Sequence, residues 1–286
     1  MCKLLFALGL GSCVTLGMAS VPAAQNLVSL QYKFTTGQSL RYEATRSMTV
    51  ESTVSGTTQK VTSETIALRQ WKVLEVDEKG NARLAMSILR VKVNAVGADA
   101  KKFAFDTEKD EKNPLAAIIG KPLAEVKLSS SGMVLEIKES DTPGAGQFVS
   151  HIRSQLYPFP PTGVAIGTRW QHDVDLPLPP PLGTGEQIRV RQTFQLEKVT
   201  DSVASVNLRS ATAEEIKDKA MMRAIAQFLP SGRMEFDLSR GVVRSLELTL
   251  DQTVNEFAGK DSVEHTTGTY RETLRDDVAG TAPSRK

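Results

Sequence analysis

The sequence predicts an α+β protein that is mainly antiparallel β and consists of two similar curved-sheet units, each packed with a helix. Several long segments alternate between apolar and polar residues, which is the period of a half-buried strand. The order of strand, turn and helix signals in residues 24–160 recurs in residues 161–275. Such a recurrence favours an internal duplication. The alternative is one large antiparallel sheet whose strands share only local patterns.

The amino terminus has the pattern of a cleaved export signal, residues 1–23. Lys3 provides a short positive region, an apolar run extends from Leu4 to about Met18, and small residues follow around Ala23. The run is shorter than the roughly 20 residues that a membrane-spanning helix needs. We therefore expect a periplasmic or secreted protein whose mature chain has no transmembrane segment.

Both cysteines, Cys2 and Cys13, lie near or within this apolar run. Cleavage would remove them, which excludes disulfide scaffolds, thiolate metal sites and cysteine nucleophiles. The segment LGSC, which ends at Cys13, also fits a lipoprotein cleavage site, so a lipid anchor on Cys13 is a minor alternative. With 35 basic and 33 acidic residues the chain has no strong net field, and we expect no nucleic-acid partner.

The strands of the first unit follow from period-two patterns. From Ser39 to Glu51 the even positions are apolar except for Arg46, whose stem we expect along the core with its charged head at the edge. In the segment ARLAMSILRVKVNAV, residues 82–96, the apolar parity changes between Ile88 and Leu89. A change of parity within one strand predicts a β-bulge.

Two short helices are predicted in the first unit. Asn113 is placed as an N-cap, Pro114 occupies the first helical position, and Gly120 follows the end of the helix. A second helix is predicted over residues 146–156, where Phe148, Ile152 and Leu156 recur every four residues before the breaker YPFPP.

The second unit repeats these elements. Residues 167–176 correspond to residues 37–46, and a difference of 21 residues in connection length is assigned to residues 90–110. Thr212 and Glu215 form a capping box for a helix whose apolar stripe ends at Phe228 and Leu229. The last eleven residues, 276–286, are predicted to be a disordered tail.

The two units end in matching hairpins, SSSGMVLEIKES at residues 129–140 and LSRGVVRSLELT at residues 238–249. Gly132 and Gly241 occupy the turn in each hairpin. We predict that both adopt a positive φ angle, because glycine reaches that region without steric cost.

The histidines and carboxylates do not predict a catalytic or metal site. In the segment WQHDVD, residues 170–175, a strand directs His172 to one face and both Asp173 and Asp175 to the other, so the three cannot converge on one ion. His151 and His265 have no carboxylate pattern nearby. We therefore predict no catalytic, cofactor-binding or metal-binding residues and no cofactor, and an enzyme is the less favoured interpretation.

Two further segments have alternative interpretations. LPLPPPLGTG, residues 176–185, has the composition of a polyproline ligand, but it also fits a stiff exposed connection between strands. The stripe that ends at Phe228 and Leu229 fits a lid over an apolar ligand, or the face of a helix that simply covers a sheet.

Three segments carry a family resemblance. They are FDTEKDEKNPLAAIIGKPLAEVKLSSSGMVLEI, GVAIGTRW and FDLSRGVVRSLEL, which begin at residues 105, 163 and 236. They resemble an exported bacterial family known only as a domain of unknown function, for which no catalytic residues are known. The overall plan also resembles the lipoprotein-carrier superfamily, which implies a curved antiparallel sheet around an apolar cavity; such an analogy carries fold and not function.

The signal, the alternating strands and the lack of a reactive motif together favour an exported cell-envelope protein that is not an enzyme. We expect it to bind an apolar small molecule or lipid, or an envelope protein partner. One alternative is an extracytoplasmic hydrolase whose site is assembled from distant residues. Another is a structural or adhesive module.

Overall fold

The structure, a computed structural model, describes residues 27–110, 113–146, 152–178, 185 and 187–275. Within these residues twelve strands form one antiparallel sheet. The strands are β1 Ser39–Val54, β2 Thr57–Val76, β3 Ala82–Val96, β4 Lys102–Asp106, β5 Pro122–Leu128, β6 Val134–Glu139, β7 Arg169–Pro177, β8 Gln187–Thr200, β9 Val203–Thr212, β10 Ser231–Asp237, β11 Val242–Asn255 and β12 Ser262–Arg275.

The sheet has the order β6-β5-β3-β2-β1-β12-β11-β10-β9-β8-β7, and β4 pairs with β3. The first and last strands pair at its centre, from Arg41 opposite Arg275 to Val54 opposite Ser262. The mainly antiparallel architecture is confirmed, and both halves of the chain belong to one sheet. Each half is a sequential meander, but the duplication itself and the division at residue 160 stay predictions.

One face of the sheet carries the core. In β1 the side chains of Leu40, Tyr42 and Ala44 are buried, whereas Arg41 on the opposite face is exposed. Apolar residues of the same face form two main clusters, one with Phe194 and the other with Leu84. We call this face the inner face, because the core lies on it.

The predicted β-bulge in β3 is confirmed. Leu68 lies opposite Arg90 and Arg69 lies opposite Ile88, so Leu89 is the extra residue. The extra residue changes which side chains face inward, and it thereby keeps an apolar inner face on both sides of the bulge.

The first predicted helix is present as a 3₁₀ helix, Pro114–Ile118. The Asn113 side chain accepts a hydrogen bond from the backbone N–H of Leu115 at 2.9 Å, and Gly120 has φ +76°, so the predicted cap and terminator are confirmed. With only five residues, the helix uses the tighter 3₁₀ spacing that short segments favour.

The helix predicted from Thr212 is shorter than expected. The capping box was wrong, because Thr212 still belongs to β9 and pairs with Val190 in β8. The helix α1, Lys219–Ile225, begins after Asp218, whose carboxylate accepts from the N–H groups of Ala220 and Met221 at 2.8 and 3.2 Å. It continues as a 3₁₀ turn, Ala226–Phe228.

Several predictions fall outside the described residues. They are the export signal, both cysteines, the tail 276–286, residues 179–184 and 186 of the proline-rich connection, and residues 147–151 of the second predicted helix, which include His151. Of that helix, Ile152 is buried and a 3₁₀ turn follows at Arg153–Gln155.

Residues 27–38, which we call the strap, cross one end of the inner face. The Tyr32 N–H donates to the Ser130 carbonyl at 2.8 Å, and the Lys33 N–H donates to the Gly241 carbonyl at 3.0 Å. The strap therefore rests on the turns of both matching hairpins, β5–β6 and β10–β11.

The two turn glycines have the predicted positive φ angles, +82° at Gly132 and +65° at Gly241. They also leave room for the strap. A Cβ on Gly132 would lie 2.5 Å from the Tyr32 ring, and a Cβ on Gly241 would collide with the backbone nitrogen of Lys33. Glycine is needed at both positions for the backbone angle and for close approach.

The aromatic rings beneath the strap close this end of the core. Tyr32 contacts Phe34, Phe159 and Phe236, with ring centroids 5.3 to 5.5 Å apart. Phe159 comes from the connection between β6 and β7, and its N–H donates to the Ser131 carbonyl at 2.8 Å. The strap and this connection thus pack together against the sheet.

Candidate binding cavity

A cavity of about 210 Å³ lies on the inner face. Its walls include Val174 of β7, Val190 of β8, Leu208 of β9, Leu248 of β11 and Met48 of β1. These strands extend from one edge of the sheet to its centre. Because their side chains reach the same space, the sheet curves around the cavity.

The segment after α1 covers one side of the cavity. Phe228 and Pro230 line it, and Leu229 packs in a buried cluster with Val174 and Val190. The predicted apolar stripe is buried only near this end, at Ile225 and Leu229. Of the helical segment, it is therefore the carboxyl-terminal end that covers the cavity.

A buried ion pair lies beside the cavity, next to Gln155 and Tyr270 of its lining. Arg69 of β2 and Glu272 of β12 approach to 2.5 Å, and their side chains are only 10% and 13% exposed. The Tyr270 hydroxyl donates to Glu272 at 2.8 Å, and Arg69 donates to Tyr270 and to Gln155. We call these four residues the ion cluster.

Electrostatics within the ion cluster keep its groups in fixed protonation states. Burial, together with the Glu272 charge, raises the pKa of Tyr270 well above its ordinary value. Desolvation has the largest effect on Arg69 and opposes its charge, but the Glu272 carboxylate and the neighbouring tyrosines together outweigh it, and the pKa of Arg69 is raised. Tyr270 therefore stays a donor and Arg69 stays a cation.

The ion cluster separates the cavity from a smaller aromatic space of about 70 Å³ beneath the strap. Gln155 and Tyr157 line both spaces, whereas Tyr42 and Trp71 line only the smaller one. Sequence reasoning missed this cluster. The sequence does contain one indication of it: Arg69 is a charged residue at a position where the strand alternation predicts an apolar one, since it lies on the same face of β2 as Trp71.

Arg46 lies opposite Tyr270 in the β1–β12 pairing and lines the cavity. The residue is exposed, and its guanidinium donates to the Gln227 side-chain oxygen at 3.3 Å. Among the described residues no carboxylate pairs with it. Arg46 therefore places a positive charge at the mouth of the cavity, as expected for a long stem with its head at the edge.

A groove of about 450 Å³ continues from the cavity beneath α1. Met48 and Gln227 line both spaces. In the groove, Glu264 accepts hydrogen bonds from Ser52 at 2.5 Å and from Arg223 of α1 at 2.7 Å. This buried carboxylate ties the helix to the inner face of the sheet.

A larger groove of about 820 Å³ lies near the ends of β2, β3 and β4. Most of its lining residues are polar, and Glu64, Lys102 and Asp251 are exposed. Ligand sites for small molecules usually combine apolar walls with few polar groups. The cavity on the inner face fits that description better.

The predicted division of the WQHDVD side chains between two faces of the strand is confirmed. Asp173 binds Arg191 at 2.8 and 2.9 Å, and Asp175 binds Arg189 at 3.0 Å, on the exposed face. His172 lies on the other face, where partial desolvation lowers its pKa. In the described part of the chain no group of three or more metal-ligand side chains comes together.

The structure brings His265 beside a carboxylate that is distant in the sequence. Its Nε2 atom lies 2.8 Å from Asp251 Oδ1, because the β11–β12 pairing brings a carboxylate from a distant segment beside it. The pair is solvent-accessible, with side chains 44% and 79% exposed. Neither residue lines the cavity.

Within the described residues, the chain contains no helix with the length and hydrophobicity required to cross a bilayer. No family model matches the sequence. No curated protein matches it either.

Similarity to solved structures is found at the level of fold. A structure of lipovitellin concerned with lipid–protein interactions has a TM-score of 0.52 and 11% identity, and the match covers 89% of this chain and 27% of lipovitellin. The chain thus spans about a quarter of that protein.

Two matched structures are of proteins of unknown function. A β-barrel-like DUF1849 protein from Brucella abortus has a TM-score of 0.21 and 12% identity, over 83% of this chain and 98% of that one. A DUF1329 family protein from Desulfovibrio piger has a TM-score of 0.13 and 8% identity, over 84% and 87%. The chain is therefore similar in fold to part of lipovitellin, while its family stays a prediction.

Proposed function

We propose that this protein is a binding protein that holds an apolar molecule in the inner-face cavity. The observation that carries the proposal is the lining of that cavity. Most of its wall surface is apolar and comes from β7, β8, β9 and β11 and from Met48 of β1, and the ion pair beside it is already neutralised by its own partners. An apolar ligand would replace water against these walls without breaking that pair.

The ligand best suited to such a space has a flexible apolar chain. Each buried methylene contributes about 0.8 kcal/mol, which corresponds to roughly a fourfold gain in affinity. Affinity should therefore rise with chain length until the cavity is full. The similarity in fold to lipovitellin supports this choice of ligand class. The stronger support comes from the apolar side chains that line the cavity.

The predicted export signal supports a location in the cell envelope. We propose that the mature protein acts in the periplasm or outside the cell, as a carrier or receptor for its ligand. The mass and N-terminal sequence of protein purified from whole cells test this part: cleavage after residue 23 supports it, and an intact N-terminus contradicts it. The hydrolase and adhesive alternatives stay predictions.

Binding is tested with the uncharged fluorescent probe N-phenyl-1-naphthylamine. Ser210 is buried and lines the cavity, so Ser210→Trp places a large ring in it. Arg209 is the next residue of the same strand and is exposed on the other face, so Arg209→Trp is the matched control.

We expect wild-type protein and the control to bind the probe saturably with equal affinity. Ser210→Trp should weaken binding by roughly tenfold or more, since it fills the space that the ligand needs. Thermal unfolding of each variant shows that it is folded, and Leu248→Trp serves as a second filling variant if Ser210→Trp does not fold. Non-saturable binding by the wild type, or unchanged binding by folded filling variants, would contradict the proposal.

A further inference from the structure

We propose that the ligand is an anionic amphiphile whose acidic head group pairs with Arg46 while its apolar chain lies in the cavity. This inference depends on the proposed function and specifies its ligand class. The shared chemistry is a carboxylate or phosphate on a single apolar chain.

The distribution of charge around the cavity supports an anionic head group. Arg46 is the only charged side chain among the described residues that line it. The nearby cation Arg69 belongs to the ion cluster and is paired with Glu272 at 2.5 Å. One positive charge at the mouth is therefore available for a ligand.

The side chain of Gln227 beside Arg46 provides a hydrogen-bond donor for the head group. Gln227 accepts from the Arg46 guanidinium through its side-chain oxygen at 3.3 Å, which leaves its amide N–H groups directed away from Arg46. A head group with several acceptor oxygens can bind a guanidinium and an amide at once. A hydroxyl head group would leave the charge of Arg46 without a counterion.

The position of Arg46 also sets the orientation of the ligand. Met48 and Gln227 mark the junction between the cavity and the groove beneath α1, and Gln227 is the residue that Arg46 contacts. A head group at this junction faces the groove, which contains the polar pair Arg223 and Glu264. The chain then extends towards Val190 and Leu208.

A ligand that covers the mouth of the cavity would remove more water from around Arg46. Desolvation by the surrounding protein already lowers the pKa of Arg46. A neutral ligand would increase that cost without compensation, whereas an anionic head group supplies the missing counter-charge. The preference for an acid over an alcohol of equal chain length measures this difference.

The test is displacement of N-phenyl-1-naphthylamine by dodecanoate, dodecyl phosphate and dodecanol, with the two anions below their critical micelle concentrations and the alcohol below its solubility limit. The variants are Arg46→Met, Arg46→Lys and Arg41→Met. Arg41 is an exposed residue of the same strand on the opposite face, so Arg41→Met controls for the loss of one positive charge.

In the wild type we expect at least one of the two anions to bind roughly tenfold or more tightly than the alcohol, the effect of one charge-assisted hydrogen bond. Arg46→Met should remove that preference, and dodecanol should bind to it at least as tightly as to the wild type, because the charge that a neutral ligand desolvates is gone. Arg46→Lys and Arg41→Met should retain it. The more effective anion distinguishes a carboxylate ligand from a phosphate ligand.

Equal displacement by acids and alcohol in the wild type, or an intact preference in Arg46→Met, would overturn the inference while the binding function stands. Failure of the probe and of all three amphiphiles to bind would instead contradict the proposed function itself. The two failures are therefore distinguishable in one set of titrations.

Discussion

The ion cluster allows the strongest test of how the core is built. Glu272→Gln removes the carboxylate charge with little change in volume. Arg69, whose side chain is 10% exposed, then keeps its charge without a counterion. Breaking a buried ion pair in this way typically costs about 3–5 kcal/mol, a large part of the roughly 5–15 kcal/mol that stabilises an ordinary domain.

A double variant separates the cost of an unpaired charge from the value of the pair. Arg69→Met combined with Glu272→Leu removes both charges and fills the space with apolar atoms. We expect its loss of stability to be much smaller than the sum of the single-variant losses, with an interaction energy of about 2 kcal/mol or more.

The measurement is urea unfolding followed by tryptophan fluorescence. Trp71 lies two residues from Arg69 on the same face of β2, so one of the chain's two tryptophans reports on this region. A loss below about 1 kcal/mol in Glu272→Gln, or additive losses in the double variant, would refute the view that these charges depend on each other.

Three further predictions concern the strap, the tyrosines and the exposed face of the sheet opposite the inner face. Gly241→Ala should cost about 3 kcal/mol or more, because its Cβ collides with the strap, whereas Gly56→Ala, with a similar φ of +79° and open space, should cost about 1–2 kcal/mol in the same urea titration. Burial raises the pKa of all four tyrosines above the unfolded value of 10.0, so the tyrosines should not change stability below about pH 10 and should lower it above that pH by up to about 1.4 kcal/mol per tyrosine per pH unit; tyrosinate absorbance that rises before unfolding would contradict this. Asp173→Asn breaks an exposed pair with Arg191 and should leave the urea midpoint and probe binding nearly unchanged, and a large loss of either would give this pair a role that its exposure does not indicate.

Local features of the fold were predictable because their causes are local. The bulge at Leu89 follows from a change of parity, the cap at Asn113 from its side-chain oxygen, and the positive φ angles of Gly132 and Gly241 from the hairpin turns. Each depends on a few neighbouring residues. The sequence around each one is therefore sufficient.

Long-range features were not predictable in the same way. The capping box at Thr212 failed because pairing of β9 with β8 competes with helix formation, and that pairing involves a distant segment. The pairing of β1 with β12 and the contact of His265 with Asp251 also depend on strand register. A local pattern does not contain this information.

The candidate site was predictable in part, because it depends on both local and long-range features. Arg46 was recognisable as a charged residue on an apolar face, but its position at a cavity depends on the curvature of the whole sheet. Arg69 and Glu272 had the same local signal, and yet they neutralise each other beside the cavity. The alternation of apolar and polar residues identified Arg46 and Arg69 as charged residues on an apolar face. Only the fold shows that Arg69 is paired with a carboxylate and that Arg46 lies at the mouth of the cavity.

The two ends of the inner face have separate roles in this arrangement. The strap rests on the turns at Gly132 and Gly241, and the aromatic core beneath it closes one end. Arg46 lies on the other side of the ion cluster, where the cavity meets the groove under α1. Changes at the turn glycines should therefore lower stability without altering the preference for acid over alcohol. Changes at Arg46 should alter that preference with little effect on stability, because the residue is exposed and contributes little to the core.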